Sequence, residues 1–140
     1  DTHSHILPGL DDGALSLSQS IDFVRLAEKE GVNTVFATPH CCDGVYNCNK
    51  EAILKACFHL SEALREKAIN VRVLPGAEIK VNPDLISMLD SGQLLTLGNT
   101  DSFILLELPP MFIDKAISFI LKQLRDRGLT PLIAQLNAIP

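Results

Sequence analysis

Short apolar runs separated by helix-length stretches constrain this chain more than any other feature. Thr34 to Thr38 (TVFAT), Val71 to Leu74, Ser102 to Leu106 and Leu132 to Ala134 each read as a buried strand. Between them, apolar residues recur at helical spacing. Ile21, Val24 and Ala27 mark one helix, Ile53, Leu54, Cys57, Leu60 and Leu64 a second, and Ile113 to Arg127 a third. Asp1 to Ile6 reads as the end of a first strand, and Ala77 to Val81 as extended. A short helix is expected from Asn82-Pro83, with proline at its first position. Strands alternating with helices predict βαβ units and a mostly parallel α/β sheet in one domain. The 46% hydrophobic content and mean hydropathy of +0.20 suit strands buried on both faces.

Local punctuation fits the same pattern. Ser16 with Gln19 forms a capping-box signature, and Gly31 and Gly128 stop helices. Pro39 and Pro109-Pro110 end strands, and a polar loop is expected from Cys41 to Asn49. Phe103 to Leu106 is expected to be fully buried.

Charge and composition exclude several roles. The net charge is −5 with no basic run, which argues against a nucleic-acid partner. The apolar runs are too short for a membrane span, and no signal peptide is visible, so a cytoplasmic location is expected. The chain opens on Asp1 rather than Met, which points to a trimmed start. Cys41, Cys42, Cys48 and Cys57 match no paired C-x-x-C zinc knuckle and are expected to be reduced thiols. There is no nucleophile elbow, no P-loop and no C-x5-R phosphate loop.

The chemistry-bearing residues share a position. His3, His5, His40 and Glu107 each fall at or just beyond a strand end, and Glu78 follows the Pro75-Gly76 turn. In parallel α/β folds the strand C-termini converge on one face, where ligands bind. His3-Ser4-His5 places two imidazoles on one side of an extended segment, a natural chelate for a divalent metal. Asp11-Asp12-Gly13 is a turn by composition, from which one carboxylate could reach inward. Glu107 follows an apolar strand, where a lone carboxylate is costly unless paired or metal-bound. Each signal alone has a plainer reading, as a capped loop histidine, an Asx turn or a salt bridge. His59, mid-helix, is read as structural or exposed.

Together DTHSHILPGLDDG, FATPH, PGAE and LLELP, in this order, resemble the polymerase and histidinol phosphatase (PHP) superfamily. The likeness is greatest to its bacterial protein-tyrosine phosphatases encoded with capsule and exopolysaccharide genes. The resemblance implies a distorted (β/α)7 barrel, of which residues 1–140 form the N-terminal portion. It implies a centre of up to three divalent metals, manganese first, with iron or zinc as alternatives. His3 and His5 resemble ligands of the first metal, Glu78 a bridging carboxylate, Glu107 a ligand beside the second metal, and Asp12 and His40 ligands of the third. The implied nucleophile is a water activated by the metals, and no protein side chain is assigned as catalytic. The implied substrate is a phosphotyrosine protein, a bacterial tyrosine kinase.

Two departures stand out. Gln135 occupies the place of a ligand histidine, with no arginine after it, and the family's closing Asp-x-His motif is absent. Incomplete sites imply weak metal binding, and an incomplete barrel implies self-association through open edges. Two other readings therefore accompany the phosphatase: a non-catalytic truncated scaffold, and a phosphoesterase acting on histidinol phosphate.

Overall fold

The computed structural model describes residues 1–46, 48–109 and 115–134. The fold is α/β, and every strand pairing among these residues is parallel. Helix α1 (Leu17–Lys29) starts where the Ser16 side chain accepts from the Gln19 N–H. The reciprocal bond goes one residue earlier than a standard capping box: Gln19 Oε1 accepts from the Leu15 N–H. The helix ends in a Schellman motif, with Gly31 at φ +82° donating to Glu28 and Val32 donating to Ala27. Strand β1 (Thr34–Ala37) follows, then the two-residue strand β2 (His40–Cys41) and helix α2 (Lys50–Glu66). Strands β3 (Arg72–Pro75) and β4 (Glu78–Lys80) lead to helix α3 (Leu85–Asp90). After a single 3-10 turn at Leu97–Asn99 come β5 (Phe103–Glu107), α4 (Lys115–Asp126) and β6 (Thr130–Ile133).

The strands form two sheets, β1-β3 and β2-β4-β5-β6. Thr34 pairs with Arg72 and His40 with Glu78, the same offset, so the second sheet continues the register of the first. The interruption lies at Thr38-Pro39 opposite Gly76-Ala77, where Pro39 offers no amide hydrogen but its carbonyl still accepts from Glu78 N. Gly76 sits in close quarters there: a Cβ would lie 2.8 Å from Leu97 Cδ2 and 3.1 Å from Thr38 Cγ2, so the Leu97 side chain would have to shift. Helix α1 packs on α2, α2 on β3, α3 on α4 and α4 on β6. Val24, Ile53, Leu60, Ile79, Ile104, Leu106 and Leu124 are buried in the shared core.

Several sequence expectations need correction. Asp1 to Ile6 lies along β1 but is not a regular strand. Asp1 and Ser4 carbonyls accept from Phe36 and Thr38 N–H groups, yet His3 N turns to its neighbour's Asp1 Oδ1, and the Ser4 hydroxyl takes the Phe36 carbonyl. Side chains replace ladder bonds, so the pairing stays irregular. The loop expected from Cys41 begins one residue later, because Cys41 pairs with Ile79. Pro83 lies in a turn, and α3 starts at Leu85, after the Leu85 N–H has bonded to Asn82. The last strand starts at Thr130, whose N–H meets Ser102, rather than at Leu132. Phe103 is 45% exposed, because it opens β5 at the end of the sheet away from the histidines. Residues 113 and 114 of the expected third helix lie outside the described residues.

Candidate metal centre

The site begins with Ser4 and Thr38. Thr38 is fully buried, and its backbone and hydroxyl bond to Ser4, fixing the His3-Ser4-His5 segment against the end of β1. The period-two alternation then turns both imidazoles to the same side. His3 Nε2 and His5 Nε2 lie 3.0 Å apart, and Glu78 Oε2 is 3.0 Å from one and 3.1 Å from the other. Donors about 3 Å apart form the edges of a coordination shell with bonds of about 2.1 Å.

His40 is brought in by β2, opposite Glu78 in register. Its Nδ1 lies 3.5 Å from Glu78 Oε2 and 3.7 Å from Glu107 Oε2, too long for hydrogen bonds. Its Nε2 is 3.9 Å from Asp12 Oδ1. Glu107 arrives as the last residue of β5. Among the described residues, three overlapping groups thus have the spacing to hold a cation: His3, His5 and Glu78; His40, Glu78 and Glu107; and His5, Asp12 and His40. Of the two carboxylates following apolar runs, Glu78 is the buried one, 1% exposed against 32% for Glu107, reversing the emphasis drawn from sequence.

Asp11 is the residue that sequence reasoning left undecided. Its side chain is fully buried and takes a hydrogen bond from His5 Nδ1, while its oxygens also accept from the Gly13 and His40 N–H groups. Asp12, by contrast, is 64% exposed and stands 3.8 Å from His5 Nδ1. Holding the proton on Nδ1 leaves the Nε2 lone pair to face Glu78 and His3, the carboxylate–histidine arrangement common behind metal ligands. Gly13 makes this possible, since a Cβ there would fall 2.0 Å from the His5 carbonyl oxygen. The only sequence hint was the turn composition of Asp11-Asp12-Gly13.

The electrostatics follow from these contacts. Hydrogen bonds to Asp11 and Glu78 push His5 up to about 10. Burial would raise Asp11, but the His5 and backbone N–H bonds outweigh it and hold the carboxylate below its ordinary value. Glu78 is likewise lowered against its own desolvation, by His5 and His3. Among the described residues, two buried side-chain atoms nonetheless have no hydrogen-bond partner, His40 Nδ1 and Glu78 Oε1. Orphaned acceptors of this kind are costly without a cation or donor, and their residues meet in one group, His40, Glu78 and Glu107, so the donor set fits a divalent metal.

Beyond β2, Cys42 adopts φ +59°, and Asp43 Oδ1 accepts from Val45 N and Tyr46 N. This turn brings Tyr46 back over the site, its ring parallel to His40 within 10° at a centroid distance of 5.7 Å. Sequence reasoning missed Tyr46, the only tyrosine of the chain. The four cysteines are free thiols, with Cys41 Sγ 3.3 Å from Cys42 Sγ. His59 is exposed on α2, in edge contact with Phe58. Gln135 lies outside the described residues.

Comparison with known proteins bears on the family and the fold. The profile of the family described as "Capsular polysaccharide synthesis, CpsB/CapC" matches residues 1–138. The tyrosine-protein phosphatase YwqE of Bacillus subtilis is 37% identical over 96% of this chain and 52% of its own length. The tyrosine-protein phosphatase CpsB of Streptococcus agalactiae is 27% identical over 98% of this chain and 56% of its own. The chain therefore spans about half the length of these relatives. Among solved structures, a chain from the crystal structures of YwqE from Bacillus subtilis and CpsB from Streptococcus pneumoniae, described as unique metal-dependent tyrosine phosphatases, superposes with a TM-score of 0.87. It is 36% identical, over 94% of this chain and 53% of that one. With the profile matched almost end to end and the fold shared, the chain belongs to the CpsB/CapC family of capsular polysaccharide synthesis.

Proposed function

We propose that this chain carries the metal centre of a phosphomonoesterase that removes phosphate from tyrosine in proteins. The observation that carries this reading is the convergence of three imidazoles on the buried Glu78 Oε2, at 3.0, 3.1 and 3.5 Å. The names of the relatives support the substrate class. In this reading His3, His5 and Glu78 hold one ion, His40, Glu78 and Glu107 a second, and Asp12 with His40 contributes to a third. Divalent ions, manganese first and iron or zinc next, supply Lewis acidity that offsets phosphoryl charge and acidifies water. The protein's own part is arrangement. Glu78 ties two sites together, Asp11 fixes the tautomer of His5, and the more open carboxylates of Glu107 and Asp12 mark the side from which a phosphoryl group enters.

The parallel strands support a wider reading, in which residues 1–140 are the N-terminal portion of a PHP-type (β/α)7 barrel domain with its site at the strand C-termini. The family description supports a role in capsular polysaccharide synthesis; regulation of that synthesis, a bacterial tyrosine kinase as substrate and the cytoplasm as location complete this reading. None of the helices among the described residues is long and apolar enough to cross a membrane.

The test is metal content and turnover on one sample. The chain is loaded with manganese, freed of excess, and assayed on phosphotyrosine peptide, phosphoserine peptide and histidinol phosphate. Bound manganese with turnover of phosphotyrosine alone is the expected result. Preference for histidinol phosphate would replace the substrate class, and bound metal without turnover would leave a non-catalytic metal-binding scaffold. Absence of bound metal would overturn the centre itself.

A further inference from the structure

Tyr46 belongs to none of the three donor groups, yet it lies flat beside one of their members. A ring parallel to within 10° with centroids 5.7 Å apart is an offset stack, which leaves much of the tyrosine face uncovered by His40. The side chain is only partly buried, and its neighbour Val45 is 73% exposed. The two Asp43 hydrogen bonds hold the turn that presents them, so the ring is placed before any ligand arrives. An apolar surface at the lip of a polar, acidic site is out of keeping with its surroundings: Asp11, Asp12, Glu78 and Glu107 all lie around His40. A small anion such as inorganic phosphate gains nothing from that surface. An aromatic phosphate ester does, because its ring adjoins the phosphoryl group and has a face that can pack on the tyrosine ring.

We propose that Tyr46, flanked by Val45, is the aryl platform of the site, the surface on which the aromatic leaving group of a phosphate ester packs while its phosphoryl oxygens meet the His and carboxylate cluster. The inference rests on the phosphomonoesterase reading above. It makes Tyr46 a specificity residue: phosphotyrosine stacks, whereas the short alkyl arm of phosphoserine leaves the ring unused.

The test uses the manganese-loaded chain with two unreactive probes, phenylphosphonate and methylphosphonate, titrated by calorimetry into the wild type and into Tyr46→Phe, Tyr46→Leu and Tyr46→Ala. Phenylphosphonate binds the wild type about three- to tenfold tighter than methylphosphonate, the worth of one aromatic pair. That advantage persists in Tyr46→Phe, shrinks in Tyr46→Leu and vanishes in Tyr46→Ala, while methylphosphonate affinity stays level. Leucine keeps apolar bulk in the turn, so loop collapse in the alanine variant does not mask the answer. The chain has no tryptophan, so tyrosine emission comes from Tyr46 alone, and quenching by paramagnetic manganese but not by zinc gives an independent reading of its nearness to the cluster. An unchanged phenyl-to-methyl ratio in both Tyr46→Leu and Tyr46→Ala overturns the platform and leaves the phosphoesterase reading standing. Failure of the loaded wild type to bind either phosphonate overturns both.

Discussion

Replacing Asp11 by Asn would keep the volume of the side chain while removing its charge and turning one of the two oxygens that accept from His5, His40 and Gly13 into an NH2 donor. We expect Asp11→Asn to weaken manganese binding by about 10- to 100-fold, measured by calorimetry, with a smaller loss for the exposed Asp12→Asn. Equal losses would mean that Asp11 does not act through His5. Gly13→Ala should destabilise the fold by about 1–3 kcal/mol and abolish metal binding with it, because the backbone beside His5 must retreat. Proton linkage adds a test without mutation. His5, raised to about 10, contributes stability to the metal-free chain that is fully present below its ordinary value near 6.5 and lost as pH rises through 10. Asp11 and Glu78, both lowered, contribute stability present above their ordinary values near 4 and lost as pH falls. The metal-free chain should therefore melt lower on both the alkaline and the acid side. Manganese, which must displace the His5 Nε2 proton, should bind more tightly as pH rises from about 6 to about 9; affinity flat across that window would mean His5 is not a ligand. At this scale the sequence singled out His3, His5, His40 and Glu107 by expected strand ends and Glu78 by the turn before it, and the structure brings these side chains together. The sequence was silent on Asp11 against Asp12, since adjacent carboxylates in a turn look alike until the backbone decides which is buried.

The elements were legible wherever period and punctuation agreed. Ser16 and Gly31 bracket α1 as their chemistry requires, and the apolar spacing of Ile53, Cys57, Leu60 and Leu64 gives the buried face of α2. Two kinds of feature escaped. His40–Cys41 is too short to have a period of its own and is a strand only because Glu78 and Ile79 lie alongside it. The Asp1 to Ile6 segment has strand-like residues, but its own hydroxyl and carboxylate compete for the ladder. One element end carries a correctable strain. Helix α2 closes in a Schellman motif with Ala68, not glycine, at φ +55°. Ala68→Gly should stabilise the chain by about 0.5–1 kcal/mol, the left-handed penalty of a Cβ less the entropy glycine loses on folding. The check is a raised urea midpoint at unchanged slope. A lowered midpoint would mean that the Ala68 methyl group packs better than its backbone angle suggests.

At the scale of the whole molecule, apolar side chains remain on the outside. Phe23 and Leu26 on α1, Phe58 on α2 and Phe119 on α4 are each at least 44% exposed, and among the described residues β6 is bonded only on its β5 side. Open edges and apolar faces invite pairing, so we expect the mass of this chain in sedimentation to rise with concentration; a single monomer mass from micromolar to millimolar would remove that expectation. The sequence could foretell parallel α/β order but not this exposure, which depends on what else packs against each helix. The break at Thr38-Pro39 opposite Gly76-Ala77 has a consequence for motion. It works as a seam: the register runs through it, but few bonds cross it. The stretch bearing His40 and Glu78 is held to β1 and β3 mainly through that seam, and an ion shared by His3, His5 and Glu78 would tie it to the N-terminal segment as well. Amide hydrogen exchange at Cys41 and Ile79 then becomes a gauge of metal occupancy, slowing as manganese is added while Val35 and Val73 keep their rates.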